Sequence, residues 1–296
     1  MENLNGLIII DKEPGFTSHD VVSRVRRILS FRKVGHTGTL DPDATGVLPI
    51  CIGKGTRVSD MLMMSDKEYI ARVRLGKVTD TQDISGAVLE QCDASHISAS
   101  DIENAIAHFI GDIEQIPPMY SAIKIDGQKM YDLARQGIEV ERKPRRITVY
   151  SIDLSDVRDG GFTIRVRCSK GTYIRTLCHD IGQYLGCGAC METLRRTHSS
   201  VFSIEDAITL SQLEQAVGEG RLDEVLLPVD TVFTHYEAVT VDDEIKTRLR
   251  NGAPSPVPHP LGTYRVYDEA GEFIAIGDVE KINGRNKIVV VKYFGQ

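Results

Sequence analysis

Residues 34–57 read VGHTGTLDPDATGVLPICIGKGTR, a glycine-rich loop followed by an apolar run. Gly35 and Gly38 permit a tight backbone path, because glycine tolerates positive φ angles. Pro42 restricts the residue before it, so the Asp41 carboxylate is held on a stiff turn. Residues 46–52 form a continuous apolar run of strand length, which predicts a buried strand. The stretch is therefore predicted to present one rigid carboxylate, and this makes Asp41 a candidate catalytic residue.

Composition predicts a globular intracellular protein of about two domains. The chain has 296 residues, of which 41% are apolar, and this is ample for a buried core. Asp11 and Lys12 cut short the N-terminal apolar run, so neither a membrane-spanning helix nor a signal peptide is predicted. The six cysteines are expected to be reduced core residues. The expected location is the cytoplasm, with no membrane partner.

The net charge of −7 is distributed unevenly along the chain. Residues 201–236 carry a net charge of −6 and residues 237–296 a net charge of −1, which leaves residues 1–200 neutral. Within that neutral part, residues 21–40 hold five bases and no acid, and residues 142–146 hold four bases. Local basic patches determine affinity for phosphate. Either cluster alone fits an RNA-binding surface or a solvated face equally well.

Periodicity and turn residues predict mixed strands and helices followed by a small β-rich module. Strands are predicted at 6–10, 46–52, 69–75, 147–154, 161–168 and 192–197. Helices are predicted at 17–29 with Thr17 or Ser18 as the cap, at 55–64, at 99–109, from the 169–175 segment to 185, and around 210–226. Residues 117–146 form an excursion, with a strand at 121–125, an Asp126-Gly127 turn and a helix at 128–135. Excursions of this length are often binding arms.

Asp41 and Arg175 are the best candidates for a functional pair. Arg175 follows a Lys-Gly-Thr-Tyr turn at a predicted helix start. A guanidinium beside a carboxylate keeps the carboxylate ionised and orients it, which suits a nucleophile. A structural salt bridge would use the same two residues, and the residues alone leave both interpretations open.

Three other motifs are disfavoured. Six residues, rather than the four of a phosphate loop, separate Gly46 from Gly53, and Gly55 stands where Ser or Thr is required. Cys187 and Cys190 form a single CxxC pair without a second pair, so no metal is predicted. A triad with His36 and Asp41 lacks the Gly-x-Ser-x-Gly elbow that would support it.

The motif GHTGTLDPDATGVLPICIG at 35–53 resembles the catalytic motif of the bacterial TruB-type tRNA pseudouridine synthases. The likeness continues in order through KEYIARVRLG, TDTQD, IEQIPPMYSAIK, YDLARQGIEV, RRITVY, CSKGTYIRTL and LGCGA to Leu194-Arg195-Arg196, and it covers roughly residues 6–200. The C-terminal stretch is a weaker match to a small PUA-like barrel. One departure is visible, because Glu13 separates Lys12 from Pro14 where relatives commonly place Pro directly after Lys.

The resemblance implies an α+β fold. It consists of a mixed, largely antiparallel central sheet flanked by helices and loops, the pseudouridine synthase fold. The implied catalytic domain spans 1–233 and contains an inserted RNA-binding arm at about 117–146. The implied PUA-like C-terminal β-barrel spans 234–296.

The resemblance also implies the reaction. The uridine at position 55 of the tRNA T-loop would be detached from N1 and rejoined through C5, with no metal or cofactor, since bond breaking and bond making balance within one substrate. A stacked base must first be flipped into a pocket. The implied partner is the T-stem and T-loop of tRNA, bound by a monomer without an obligate protein partner.

Each role is carried over by motif position. Asp41 would be the catalytic carboxylate, Tyr69 the ring that stacks on the flipped base, and Arg175 the partner of Asp41. The implied substrate-binding residues are Leu194, which packs against the base, Lys12, which supports the site, His36, which occupies the space vacated by flipped nucleotides, Asp83 of the TDTQD segment, and Arg145 and Arg146 of the basic return.

Two questions stay open at this stage. Asp41 could attack C1′ of the ribose or C6 of the uracil, or assist elimination toward a glycal, and Tyr69 could serve as a base as well as a platform. The rival hypothesis is a non-catalytic RNA-binding or tRNA-folding protein, which would need the basic segments but not Asp41.

Overall fold

The computed structural model describes residues 4–121, 124–125, 127–138 and 140–295. The described residues that precede residue 204 form thirteen strands. They are β1 (Gly6–Lys12), β2 (Val34–His36), β3 (Thr45–Ile52), β4 (Lys67–Leu75), β5 (Lys77–Thr79), β6 (Val88–Gln91), β7 (Gly111–Gln115), β8 (Lys124–Ile125), β9 (Gln128–Lys129), β10 (Arg145–Arg158), β11 (Gly161–Cys168), β12 (Ala189–Ser199) and β13 (Phe202–Ser203).

A nine-stranded sheet forms the centre of the molecule, in the order β1-β3-β12-β4-β11-β10-β7, with β2 paired to β3 and β13 paired to β12. Every pairing along this path is antiparallel except that of β3 with β12. The predicted α+β class with a mixed, largely antiparallel sheet is confirmed. The hairpins β5-β6 and β8-β9 lie outside the sheet.

In the described part of the chain, six α-helices accompany these strands. They are α1 (Ser18–Ile28), α2 (Ser59–Met63), α3 (Ala99–His108), α4 (Met130–Arg135), α5 (Ile174–Tyr184) and α6 (Leu210–Gly218). Short 3-10 helices occur at Gly53–Val58, Ile204–Asp206, Leu222–Glu224 and Val229–Phe233. Of the helices described, none has the length and apolar character needed to cross a membrane.

The main core lies between the central sheet and helices α1, α3, α5 and α6. Alternate residues of the strands point into it, for example Ile8 and Ile10 of β1 and Ala71 and Val73 of β4, all wholly buried. This period of two is what an extended strand with one buried face requires. The opposite face of β4 carries charged residues, among them Arg72.

The C-terminal part forms a second sheet and one helix. Its elements are β14 (Glu237–Val241), α7 (Asp243–Arg250), β15 (Ser255–Pro256), β16 (Gly262–Asp268), β17 (Phe273–Ile282) and β18 (Arg285–Tyr293), with the strand order β14-β16-β17-β18-β15. A second core joins this sheet to the first one. It includes Leu7 and Ile9 from the other face of β1, together with Ile276 and Phe294.

Several elements differ from the sequence prediction. The segment of the helix expected at 55–64 is divided into the 3-10 helix at Gly53–Val58 and α2, because Gly53 and Gly55 stand in the first turn of the 3-10 helix and helix propensity is low there. The edge strand β7 was not predicted. Of the strand expected at 121–125, only Lys124–Ile125 is described as β8, and residues 122 and 123, like Asp126 of the expected turn, lie outside the described residues. The helix expected at 128–135 begins later, at Met130.

Candidate active site

Asp41 lies on the loop between β2 and β3, and Lys12 fixes this loop from the buried side. The Lys12 side chain is wholly buried, and its Nζ donates to the carbonyl oxygens of Pro42 at 2.8 Å and Ala44 at 2.6 Å. The Pro42 carbonyl also accepts from the Gly15 amide at 3.0 Å. Burial lowers the pKa of Lys12 to about 8. The loop segment that follows Asp41 is therefore held by an ammonium group that faces the backbone oxygens of Pro42 and Ala44.

Arg196 of β12 holds the two ends of the same loop. It is 1% exposed, and it donates from Nε to the Val47 carbonyl at 2.7 Å and from Nη2 to the Gly38 carbonyl at 3.3 Å. Gly46 has φ +101°, and a Cβ there would lie 2.1 Å from the Arg196 carbonyl oxygen. Only glycine fits this close approach without displacing β12.

Arg175, at the start of α5, brings distant parts of the chain together. Its Nε lies 3.0 Å from Oδ2 of Asp41, and its Nη2 lies 3.4 Å from Oδ1. The guanidinium also donates to the Tyr120 carbonyl at 2.7 Å and the Thr81 carbonyl at 3.1 Å, and it lies 3.7 Å from Asp83. The Arg175 side chain is 6% exposed, whereas that of Asp41 is 41% exposed. A buried cation therefore orients an accessible carboxylate.

The side chains of Gln115 and Gln82 hold the start of α5, which carries Arg175. The side chain of the N-cap residue, Tyr173, makes no capping hydrogen bond. Instead, the buried side chain of Gln115 donates to the Tyr173 carbonyl at 3.1 Å and accepts from its amide at 2.8 Å. On the other side, Gln82 adopts φ +63° and its side chain accepts from the Thr176 hydroxyl at 2.8 Å. Gln115 and Gln82 thus connect α5 to β7 and to the loop that carries Asp83.

The electrostatics of Asp41 are a balance of opposing effects. Burial against the walls of the site raises its pKa above the ordinary value of 3.8, and Arg175 lowers it. Asp83 adds repulsion, and Lys12 adds attraction. Asp83 itself accepts from the hydroxyls of Thr81 at 2.8 Å and Ser85 at 2.6 Å. Asp41 is thus a carboxylate whose ionised form depends on its cationic neighbours.

Tyr69 and Leu194 lie on neighbouring strands next to this group. Tyr69 of β4 stands opposite Arg196 of β12, is half-buried, and packs at the border of the main core. Burial raises the pKa of its hydroxyl, and a hydrogen bond from Arg196 opposes that shift. Leu194 is 8% exposed and pairs with Ala71 of β4. The ring and the leucine together offer an apolar surface beside polar groups.

The remaining predicted residues are His36 and the two arginines Arg145 and Arg146. His36 ends β2 and is half-buried. Its Nδ1 is buried without a hydrogen-bond partner in the described part of the chain, and burial lowers its pKa, which favours the neutral imidazole. Arg145 and Arg146 begin β10, so they belong to the central sheet. Arg146 lies 2.8 Å from Asp112 and remains largely exposed.

The CxxC cysteines are packed in the interior. Cys187 and Cys190 are buried, as is Cys178, and burial raises the pKa of the Cys187 and Cys190 thiols. Among the described residues, no group of three or more His, Cys, Asp or Glu side chains could hold a metal ion.

Sequence reasoning missed three supporting groups. It marked Arg196 only as the last residue of the predicted Leu194-Arg195-Arg196 strand. Gln115 gives no signal because its partner Tyr173 is 58 residues away. The Tyr120 contact uses a backbone carbonyl, which a sequence does not reveal.

Comparison with solved structures supports the same assignment of the fold. The chain matches a protein of an H/ACA RNP bound to a substrate RNA containing 2′-deoxyuridine, with a TM-score of 0.73 and 27% identity, covering 98% of this chain and 85% of that one. It also matches a chain of a Cbf5-Nop10-Gar1 complex, with a TM-score of 0.73 and 29% identity, covering 98% and 84%. The chain shares its fold with these two proteins, and the family models that match it assign it to the pseudouridine synthase class.

Sequence comparison identifies the family within that class. Residues 26–174 match the N-terminal domain of the TruB family pseudouridylate synthases, and residues 175–234 match the C-terminal domain of tRNA pseudouridylate synthase B. The chain is 44% identical over 274 residues to tRNA pseudouridine synthase B of Syntrophotalea carbinolica, covering 93% of this chain and 89% of that one. It is 46% identical over 289 residues to that of Saccharophagus degradans, covering 93% and 92%. The chain belongs to the TruB family of pseudouridine synthases, as the resemblance predicted, and it is an isomerase.

Proposed function

We propose that this enzyme isomerises the uridine at position 55 in the T-loop of tRNA to pseudouridine, with Asp41 as the catalytic carboxylate. The observation that carries the proposal is the fork between the buried Arg175 guanidinium and the accessible Asp41 carboxylate, at 3.0 and 3.4 Å. The name shared by the curated relatives supports tRNA as the substrate. The T-loop position rests on the motifs at 35–53 and beyond.

The reaction breaks the bond from C1′ to N1, forms a bond from C1′ to C5, and releases the C5 hydrogen as a proton, while the freed N1 takes up a proton. Asp41 acts on the flipped uridine as a nucleophile or as an electrostatic catalyst of glycosidic cleavage. Arg175 keeps the carboxylate ionised and fixes its direction. Lys12 and Asp83 act through the loop and through Arg175, so they are positioning residues.

The flipped base requires a stacking surface and a wall. Tyr69 provides the ring and Leu194 the apolar contact, because they face neighbouring positions of β4 and β12. His36 occupies the space that the flipped nucleotides leave. The neutral imidazole favoured by burial suits insertion among bases, since no charge has to be desolvated there.

RNA affinity comes from basic side chains that lie outside the Asp41 site. Arg145 and Arg146 at the start of β10, the arm that precedes them and the basic residues of α1 contact phosphates of the T-stem and T-loop. The active unit is a single chain, because Asp41, Tyr69 and Arg175 come from one polypeptide. Sedimentation of the protein with tRNA should give one chain for each tRNA.

The test uses unmodified tRNA labelled at the C5 position of uridine. The wild type should release the label, and Asp41→Asn should release none while it still binds tRNA with an affinity within about threefold of the wild type. Wild-type protein that binds tRNA but releases no label would contradict the synthase proposal. That outcome would instead support the rival hypothesis of a non-catalytic tRNA-binding or tRNA-folding protein.

A further inference from the structure

Arg196 of β12 is a buried cation without a carboxylate partner. Its side chain is the largest of those that are wholly buried in the described part of the chain. Across the described residues, no Asp or Glu forms an ion pair with its guanidinium, which contacts backbone carbonyls instead. A buried charge without a counter-ion is costly, so the neutral groups that it contacts must compensate. These contacts therefore indicate what the guanidinium does.

The strand register places Arg196 on the same face of the sheet as the residues proposed to hold the base. Arg196 stands opposite Tyr69 of β4, and Leu194, two residues earlier, stands opposite Ala71. Residues two apart on a strand share a face, and residues directly opposite each other in an antiparallel pair have adjacent side chains. Arg196, Leu194 and Tyr69 therefore line one side of the sheet.

The guanidinium reaches the Tyr69 hydroxyl. Burial raises the pKa of this hydroxyl, whereas the charge of Arg196 and the hydrogen bond that Arg196 donates lower it. The Asp41 carboxylate is near enough to raise the same pKa. The Tyr69 hydroxyl thus lies under the influence of both the buried cation and the proposed catalytic carboxylate.

The same guanidinium holds the loop that carries Asp41. Its Nε donates to the Val47 carbonyl at 2.7 Å and its Nη2 to the Gly38 carbonyl at 3.3 Å, and these two residues lie on either side of Asp41. Backbone pairing strengthens this attachment, because Arg196 pairs with Gly46 of β3. Arg196 therefore joins the ring and the loop through one rigid planar group.

We propose that Arg196 is a positioning residue, which fixes the Tyr69 ring relative to Asp41 so that a uridine stacked on the ring presents its glycosidic bond to the carboxylate. This inference rests on the proposed function for the reaction. Arg196 is 1% exposed, so it acts through Tyr69 and the loop and does not touch the substrate. Its loss should lower kcat, because the orientation of the base is lost, and leave the affinity for tRNA nearly unchanged.

Arg196→Lys is the most direct test, because it keeps the charge but cannot hold three acceptors in one plane. With enzyme in excess over unmodified tRNA labelled at C5, the single-turnover rate at saturation should fall by roughly tenfold or more, while the Kd for tRNA stays within about threefold of the wild type. Arg195→Lys, on the opposite face of β12 with a side chain that is 41% exposed, is the matched control and should change neither quantity. A wild-type rate for Arg196→Lys would overturn the inference.

A double-mutant cycle distinguishes positioning of the ring from simple support of the loop. Tyr69→Phe keeps the stacking ring but removes the hydroxyl that Arg196 contacts. In this background, the fold-loss caused by Arg196→Lys should be smaller by at least about threefold, as expected for two residues in contact. Equal fold-losses in the two backgrounds would mean that Arg196 supports only the loop, and the inference would then be wrong.

Tyr69→Phe keeps the inference testable if Arg196→Lys fails to fold. It removes the same contact from the other side, so the rate should fall while tRNA binding is kept. A wild-type rate for Tyr69→Phe would show that the contact does not matter to the reaction, and this result would also overturn the inference.

Nuclear magnetic resonance tests the contact without any reaction. In protein labelled with carbon-13 at the tyrosine Cζ atoms, the resonance that is missing from Tyr69→Phe belongs to Tyr69. This resonance should move in Arg196→Lys, because the hydrogen bonding of the hydroxyl changes, and stay in place in Arg195→Lys. A Tyr69 resonance that stays in place in folded Arg196→Lys would contradict the contact.

The two proposals fail in different ways. If the wild type binds tRNA but releases no label, the synthase proposal fails, and the Tyr69 resonance still decides whether Arg196 holds the ring. If the wild type releases label and Arg196→Lys releases it at the same rate, only the inference about Arg196 fails.

Discussion

At the scale of single residues, the ionisation of Asp41 depends on Arg175. Burial raises the pKa of Asp41 and the guanidinium lowers it. Since the proposed chemistry uses the carboxylate, activity is lost as the pH falls through that pKa. Arg175→Gln removes the opposing charge, so the pKa should rise further and the acid limb of kcat/KM should move to higher pH.

The quantity to measure is the pH at which kcat/KM falls on the acid side, not the size of the activity. A pH profile of label release should place the acid limb of Arg175→Gln above that of the wild type, and Arg175→Lys, which keeps the charge, should fall between them. An acid limb at the same pH in all three proteins would mean that Arg175 does not control the ionisation of Asp41.

Gly46 tests the close approach of the Asp41 loop to β12. Gly46 and Gly171 both have positive φ, but a Cβ at Gly46 would lie 2.1 Å from the Arg196 carbonyl oxygen, whereas a Cβ at Gly171 would meet nothing within 4 Å. Gly171→Ala should lower the free energy of unfolding by about 1 kcal/mol through backbone strain. Gly46→Ala should lower it by about 3 kcal/mol or more, since β12 must also shift. Urea denaturation of both variants checks the difference.

At the scale of elements, the start of α5 depends on Gln115 of β7. Gln115→Met keeps a similar volume but leaves the amide and carbonyl of Tyr173 without partners, which should cost about 1–3 kcal/mol. The loosened helix start should also lower the rate of label release, because Arg175 is two residues further along. Gln183→Met on the exposed side of α5 is the control. Equal kcat and stability in the two variants would show that the helix start is fixed by other contacts.

Arg145 and Arg146, at the start of β10, are predicted to bind RNA phosphates, although Arg146 also contacts Asp112. That pair is exposed, and exposed pairs are weak, so the charge remains available to a phosphate. Changing both Arg145 and Arg146 to Glu should weaken tRNA binding and reduce its salt slope by about 2. Arg158→Glu, at the other end of β10, should change neither. Filter binding over a range of salt concentrations measures the affinity for tRNA and its salt slope. An unchanged slope would contradict the predicted phosphate contacts of Arg145 and Arg146.

Local patterns in the sequence predicted most elements, and long-range contacts account for what was missed. Thr17 was one of the two residues predicted to cap α1, and its capping-box partner, Asp20, is three residues away. Asp41 was chosen as a candidate because glycine and proline restrict its own loop. β7 was missed because its short alternating pattern is stabilised by pairing with β10, about thirty residues later. The pairing of Asp41 with Arg175 was left open by the residues, since 134 positions separate them.

At the scale of the whole molecule, the second core packs the C-terminal sheet against β1 and β3 of the central sheet. Leu7, Ile9, Val47 and Cys51 from β1 and β3 pack with Ile276 and Phe294. Residues of the C-terminal sheet therefore cover β1, which ends at Lys12, and β3, which follows the Asp41 loop. A substitution in the core under the C-terminal sheet should therefore also affect the position of the Asp41 loop.

Phe294 is the test of this coupling. It is 3% exposed, and its ring centroid lies 5.1 Å from that of Phe273 and 6.0 Å from that of Phe233. Phe294→Ala should lower the free energy of unfolding by about 3–5 kcal/mol, because it leaves a cavity in a shared core. Val291→Ala, at an exposed position of β18, should change it by less than about 1 kcal/mol.

Calorimetry distinguishes one folding unit from two. If the second core couples the two sheets, the wild type and Phe294→Ala should each unfold in a single transition, with the variant at lower temperature. Two separated transitions, with only one of them moved by Phe294→Ala, would mean that the C-terminal sheet folds independently. Since β1 contributes residues to both cores, loss of the second core exposes the strand that ends in Lys12, and label release should then decline together with stability.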